Sequence, residues 1–112
     1  MDDCIFCKIA SGAMGIPFVY EDEYVVAFDD ISPQAPVHTL VVPKAHFESL
    51  LDAPDDELLG RVWGAIPEVA RRKGVAGSGF RTIQNNGDDA GQTVHHLHVH
   101  VLGGRPFGEG MV

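Results

Sequence analysis

Basic residues are scarce in this chain: eight Lys and Arg stand against sixteen Asp and Glu, a formal charge of −8 at pH 7. Sequence-independent binding to nucleic acid needs a basic surface, so the balance argues against that class of partner. It leaves room for a small anionic ligand, because a few local donors outweigh a distant negative surface. No apolar run approaches the ~20 residues that span a bilayer, and the opening Met-Asp-Asp is acidic where a secretory signal is basic. The expectation is a cytoplasmic protein with no membrane partner. Cysteine is confined to Cys4 and Cys7, which in that compartment read as metal ligands or reduced thiols rather than a disulfide framework. Internal repeats and low-complexity tracts are missing too, apart from a Gly-rich end over 103–110. The 112 residues, 45% apolar and 21% charged, suffice for one hydrophobic core and leave no room for a second, so a single globular domain over 1–112 is expected.

What the chain does have is histidine in one place. Four of its six histidines fall in His95-His96-Leu97-His98-Val99-His100-Val101-Leu102. His96, His98 and His100 alternate with Leu97, Val99 and Val101, and a period of two with β-branched partners reads as a β-strand over His96–Leu102. Alternate residues share a face, so three imidazoles form one row and three aliphatics face the core. Same-face neighbours on a strand lie roughly 6.6–6.8 Å apart, too far for one metal ion to take all three. The row must therefore divide into separate tasks.

The rest of the chain supplies a frame. Residues 4–11 have the makings of a short helix, and 18–21 and 24–28 of two strands around an acidic hairpin turn at 21–23. Asp30–Pro36 carries two prolines and reads as an ordered loop, and Thr39–Val42 as a short apolar strand ending at Pro43. One long helix is expected over 52–73, with acidic Asp55-Asp56-Glu57 at its start and Arg71-Arg72-Lys73 before Gly74 at its end. Its apolar stripe is Leu58, Leu59, Val62, Ile66, Val69 and Ala70, with a bend near Pro67 and Trp63 read as core packing. Residues 80–84 form the next strand. Segregation as strands, helix, then strands favours an α+β fold with a mainly antiparallel sheet.

Two further groups bear on chemistry. The loop 85–92 precedes the histidines, and Gly87 and Gly91 permit the positive φ that turns successive N–H groups inward. Asn85, Gln92 and Thr93 add side-chain donors, so with His98 and His100 the loop reads as a phosphate cradle, with Asp88 and Asp89 pointing to solvent. Cys4-x-x-Cys7 has metal-ligand spacing but only two ligands. A tetrahedral zinc needs two more, for which His46 and His96 are candidates. A buried thiol pair and a redox pair are the alternatives, the latter weakened by the lack of a thioredoxin-like βαβ unit.

These residues resemble the histidine triad (HIT) family, most closely its Hint branch. The resemblance rests on His96-Leu97-His98-Val99-His100-Val101-Leu102, on the flanking Gly91-Gln92-Thr93-Val94 and Gly103-Gly104-Arg105, and on the stretches 27–36 and 38–46. It implies a five-stranded antiparallel sheet, with one long and one short helix, joined across a homodimer into ten strands. It implies hydrolysis of purine nucleoside 5′-phosphoramidates to a nucleoside 5′-monophosphate and an amine; the alternatives are dinucleoside polyphosphate hydrolysis, the neighbouring activity, and a nucleotide-binding module with vestigial catalysis. By resemblance His98 attacks the α-phosphorus, the carbonyl of His96 fixes its tautomer, His38 assists, and Thr93 stands where a family serine bonds the leaving group. His100 can donate to a phosphoryl oxygen. Asp30 is expected to hold the ribose hydroxyls, with Phe6, Ile9, Phe28 and Ile31 as walls for the base. The resemblance also implies a structural zinc on Cys4, Cys7, His46 and His96, and no catalytic metal. The chain departs from the pattern at the stretched Gly12-Ala13-Met14-Gly15-Ile16-Pro17, at His95, to which no catalytic role is assigned, and in lacking a Trp-Pro-Pro-Gly ending.

Overall fold

Strand β3, Val37–Pro43, is the axis of the molecule: six of its seven residues are buried, as its run of Leu40, Val41 and Val42 between Thr39 and Pro43 demands. The computed structural model describes residues 3–112. Helix α1 (Ile5–Ala10) leads to β1 (Tyr20–Glu21), β2 (Val25–Asp29) and β3; helices α2 (Asp56–Gly64) and α3 (Ile66–Arg72) follow, then β4 (Phe80–Ile83) and β5 (Val99–Gly103). All five strands join one sheet in the order β1-β2-β3-β5-β4, every pairing antiparallel. This is the α+β arrangement that the order of elements implied. No helix among the described residues is long and apolar enough to cross a membrane.

Alternation along the strands splits the core in two. Val25, Ala27, Val41, Leu97, Val99 and Val101 pack against Val62, Ile66 and Val69 of α2 and α3. Val26, Phe28, Leu40 and Val42 point the other way, against Phe6, Ile9 and Ala10 of α1. The sheet is thus a wall with the long helical stretch behind it and the short helix in front. Both faces are buried, the second under a helix of only six residues.

Three expectations need correction. The long helix is split at Ala65, where the amide of Val69 still reaches the Ala65 carbonyl (3.2 Å); Pro67, at the start of α3, has no N–H to continue the ladder. Trp63 is 38% exposed on α2 rather than part of the core. Strand β5 begins at Val99, not at His96. Beyond Pro43 the neighbouring chain turns away, so the amide of Leu97 bonds to the Phe47 carbonyl (2.8 Å) instead of continuing the ladder. The alternation nevertheless persists through this irregular stretch, with Leu97, Val99 and Val101 fully buried on the helical side.

Candidate functional site

On the α1 side the histidines divide into two groups. His96 joins Cys4, Cys7 and His46, whose ligand atoms all lie within 4.8 Å of one another. Its Nδ1 is 3.3 Å from the Cys4 sulfur, 3.5 Å from the Cys7 sulfur and 3.2 Å from His46 Nδ1, and Cys7 Sγ is 3.4 Å from His46 Nδ1. Zinc bonds of about 2.3 Å to sulfur and 2.0–2.1 Å to nitrogen set tetrahedral ligand atoms roughly 3.3–3.8 Å apart, so the donor set and its spacing fit such an ion. His96 Nε2 lies 2.8 Å from the Pro43 carbonyl, which can only accept. The proton therefore sits on Nε2 and Nδ1 keeps a lone pair for the cluster, the orienting contact that metal-binding imidazoles need. Burial and the neighbouring Cys4 hold the Cys7 thiol above its ordinary value; a cation is what would draw out the thiolate.

His98 presents the opposite nitrogen. Its Nδ1 lies 2.7 Å from the His96 carbonyl, so Nδ1 carries the proton and Nε2 the free lone pair. Burial pushes its basicity down, partly offset by that carbonyl and by Asp30, so the ring is neutral near pH 7. Phe6 meets it edge-on, with ring centres 5.0 Å apart.

His100 and His38 form a second polarised chain. The Gln34 amide donates to His38 Nδ1 (3.0 Å). A backbone N–H can only donate, so the His38 proton is on Nε2, 2.8 Å from His100 Nδ1. That nitrogen must accept, which leaves His100 with its proton on Nε2. Burial, with the adjacent His98 and His38, lowers the His100 pKa to about 4, so His100 is a neutral donor. Asp30 Oδ1 accepts from the Ser32 amide (2.8 Å), while Oδ2 lies 3.6 Å from His38 Nε2.

An apolar cavity of about 270 Å³ opens on this face. It is lined by the expected Phe6, Ile9, Phe28, Asp30 and Ile31, and also by Ile5, Met14, Ile16, Leu40 and Val94. Ile31 is 92% exposed at its rim. Met14 and Ile16 come from the stretched segment 12–17, Leu40 from the α1-facing side of β3, Ile5 from α1 and Val94 from the segment before the histidines. Thr93 is exposed and lines not this cavity but a neighbouring cleft of about 390 Å³, with Cys4, His46, Glu48 and His95. Asn85, half-buried just past β4, is not among the cavity's walls.

The loop before the histidines is not the free cradle expected. Gly87 and Gly91 do take positive φ, +85° and +79°. However, the Gly91 and Gln92 amides donate inward, to Asp88 and Gly87 carbonyls. The buried Gln92 side chain is also committed: its nitrogen donates to the Glu48 (2.6 Å) and Val94 (3.2 Å) carbonyls and its oxygen accepts from the Gly87 amide (2.8 Å). Gly91 and Gln92 brace the loop and offer no spare side-chain donor or turned-in amide to a ligand. Asp88 and Asp89 are exposed, as expected.

Comparison with known proteins follows the same residues. The chain is 40% identical over 109 residues to a purine nucleoside phosphoramidase of Escherichia coli, covering 96% of this chain and 92% of that one. It is 47% identical over 105 residues to protein HitA of Neisseria gonorrhoeae, covering 92% and 97%. A solved HIT family hydrolase from Clostridium thermocellum superposes with a TM-score of 0.94 at 40% identity, covering 100% of this chain and 99% of that one. The family model described as HIT domain matches residues 16–107, a span that holds the alternating histidines, His38 and Asp30 together; with this fold around them, the chain belongs to the HIT domain family.

Proposed function

We propose that the protein is a hydrolase of purine nucleoside 5′-phosphoramidates, acting through a nucleotidyl intermediate on His98. The observation that carries this reading is the His98–His96 carbonyl bond, which leaves a neutral imidazole with its Nε2 lone pair free. Such a nitrogen is a usable nucleophile near pH 7 without a separate base. The base packs in the apolar cavity, and Asp30 Oδ2 is the oxygen left to accept from the ribose hydroxyls. His98 Nε2 attacks the α-phosphorus, and the phosphorus–nitrogen bond breaks as the leaving nitrogen takes up a proton from solvent, so that a neutral amine departs. The positive charge that develops on the ring is shared with the His96 carbonyl. His100, neutral with its Nε2 proton outward, donates to a phosphoryl oxygen as charge builds there; His38 holds it in that tautomer. Thr93, beside the open cleft, is the hydroxyl nearest in role to the leaving group. Water then attacks the intermediate, releasing the monophosphate.

Cys4, Cys7, His46 and His96 hold a structural zinc in this reading; their spacing and the Pro43 contact support it. A zinc ion held by these four residues would supply a structural crosslink between α1, the segment after β3 and the segment before β5. A homodimer joined along β4 agrees with that strand's place at the sheet edge and with half-exposed Phe80 and Ile83. The name of the Escherichia coli relative supports the substrate class. The direct test compares adenosine 5′-phosphoramidate with diadenosine polyphosphates: preferential turnover of the former is expected, and preference for the latter would move the assignment to the neighbouring activity.

A further inference from the structure

His96 belongs to both histidine groups at once. Its ring Nδ1 points into the cysteine cluster and its Nε2 is tied to Pro43, while its backbone carbonyl is the acceptor that sets the His98 tautomer. A second path runs through α1. Cys4 caps this helix, its sulfur accepting from the Cys7 amide (3.4 Å). Between the two cysteines sits Phe6, buried, with its ring centre 6.1 Å from that of His96 and 5.0 Å from that of His98. A six-residue helix has little stability of its own, so its position depends on tethers. Besides the packing of Phe6, Ile9 and Ala10 on the sheet, the tethers at its start are four ligand atoms joined by weak sulfur–imidazole contacts and one imidazole–imidazole contact.

We infer that Cys4, Cys7, His46 and His96, drawn together on a zinc-class cation, position His98. By fixing the His96 peptide and the Phe6 ring, they keep the His98 proton on Nδ1 and the lone pair on Nε2. Without the crosslink the His96 peptide is held only by the Leu97 amide on the Phe47 carbonyl and by the ring contact with Pro43, and His98 can place its proton on Nε2, which removes the lone pair from the reacting position. His96 and the cysteines are positioning residues here, and the inference rests on the proposed role of His98. Metal content and nucleophile orientation are thereby coupled, although the cluster takes no part in bond making.

The test uses the full chain, stripped of metal and then titrated with Zn²⁺ alone. Long-range ¹H–¹⁵N spectra of the histidine rings report the His98 tautomer with no substrate present. The expected result is binding of one Zn²⁺ per chain and conversion of His98 from a mixture of tautomers to the Nδ1–H form. Cys7→Ser, which leaves the cavity walls untouched, is expected to retain the mixture in the presence of Zn²⁺ and to lower kcat by about tenfold, the scale of effects from orienting shells around metals. Failure to bind Zn²⁺, binding with unchanged His98 signals, or unfolding of the stripped chain as a whole would each overturn the inference, the last because the ion would then be a staple for the entire fold. A tautomer shift without phosphoramidate turnover by the loaded protein would sustain the coupling and sink the assigned reaction, so the two readings fail separately.

Discussion

His96 and His98 are two residues apart and lie on the same side of the sheet, yet they expose opposite nitrogens. In His96 a carbonyl from β3 takes the Nε2 proton and leaves Nδ1 for the cysteine cluster. In His98 a carbonyl from its own segment takes the Nδ1 proton and leaves the lone pair on Nε2. Both rings are buried and both have their basicity lowered chiefly by that burial. The contrast therefore does not come from burial. It comes from which backbone oxygen each ring meets, and a histidine's task in this fold is written by its acceptor.

The comparison can be broken most severely at His98. His98→Ala should lower phosphoramidate turnover by about 10⁴-fold or more, as loss of a nucleophile does, while nucleoside monophosphate binding measured by calorimetry persists. Turnover within tenfold of the parent would remove His98 from the chemistry. His38→Ala unpins His100 and should reduce kcat by about 10²-fold with a smaller change in KM; a pure KM effect would make His38 a binding group instead. On the other side, His46→Ala should weaken zinc binding by about 100-fold in competition with a chelator. Unchanged zinc affinity would show that the four-residue cluster is not the metal site.

Two weaker effects sharpen the picture through stability. At the far end of β5, an added Cβ at Gly103 would lie 2.7 Å from Val75 Cγ1. Gly103→Ala should then cost about 1–3 kcal/mol in denaturant unfolding, and a neutral result would mean that Val75 yields freely. The pH profile reports on the buried imidazoles. His100 has its folded pKa lowered from 6.5 to about 4, so between those values the unfolded chain takes up a proton that the folded chain refuses. Stability is full above pH 6.5 and declines toward pH 4, at up to about 1.4 kcal/mol per pH unit for that single proton. His96 and His98, shifted the same way, steepen the slope. Unfolding free energies that stay level from pH 7 to pH 5 would contradict the burial of these rings.

Much of this was legible in the residues. Alternation at 96–101 separated the core aliphatics from the imidazoles, and it survived even where the strand itself did not form. Ligand counting from Cys4-x-x-Cys7 named His46 and His96 as candidate partners, and the fold brings the donor atoms of these four residues within 4.8 Å of one another. Other features depend on tertiary partners that a local pattern cannot register. Strand β5 starts late because the chain after Pro43 turns away. Gln92 looks like a free donor in sequence, yet three bonds with Gly87, Glu48 and Val94 consume its amide. Met14 and Ile16 reach the cavity through a turn whose path no periodicity describes. Trp63, expected in the core as a large aromatic, is 38% exposed on α2.

The Gln34 amide donates to His38 and so orders the protons along His38 and His100. A peptide nitrogen neither gains nor loses a proton over the range in which proteins are folded, so this direction does not reverse with acidity. Nor does it reside in the glutamine side chain, which is exposed. Position 34 can therefore drift through almost any residue without loss of the chain's polarity, with proline as the single forbidden outcome, in a loop that already carries Pro33 and Pro36 on either side.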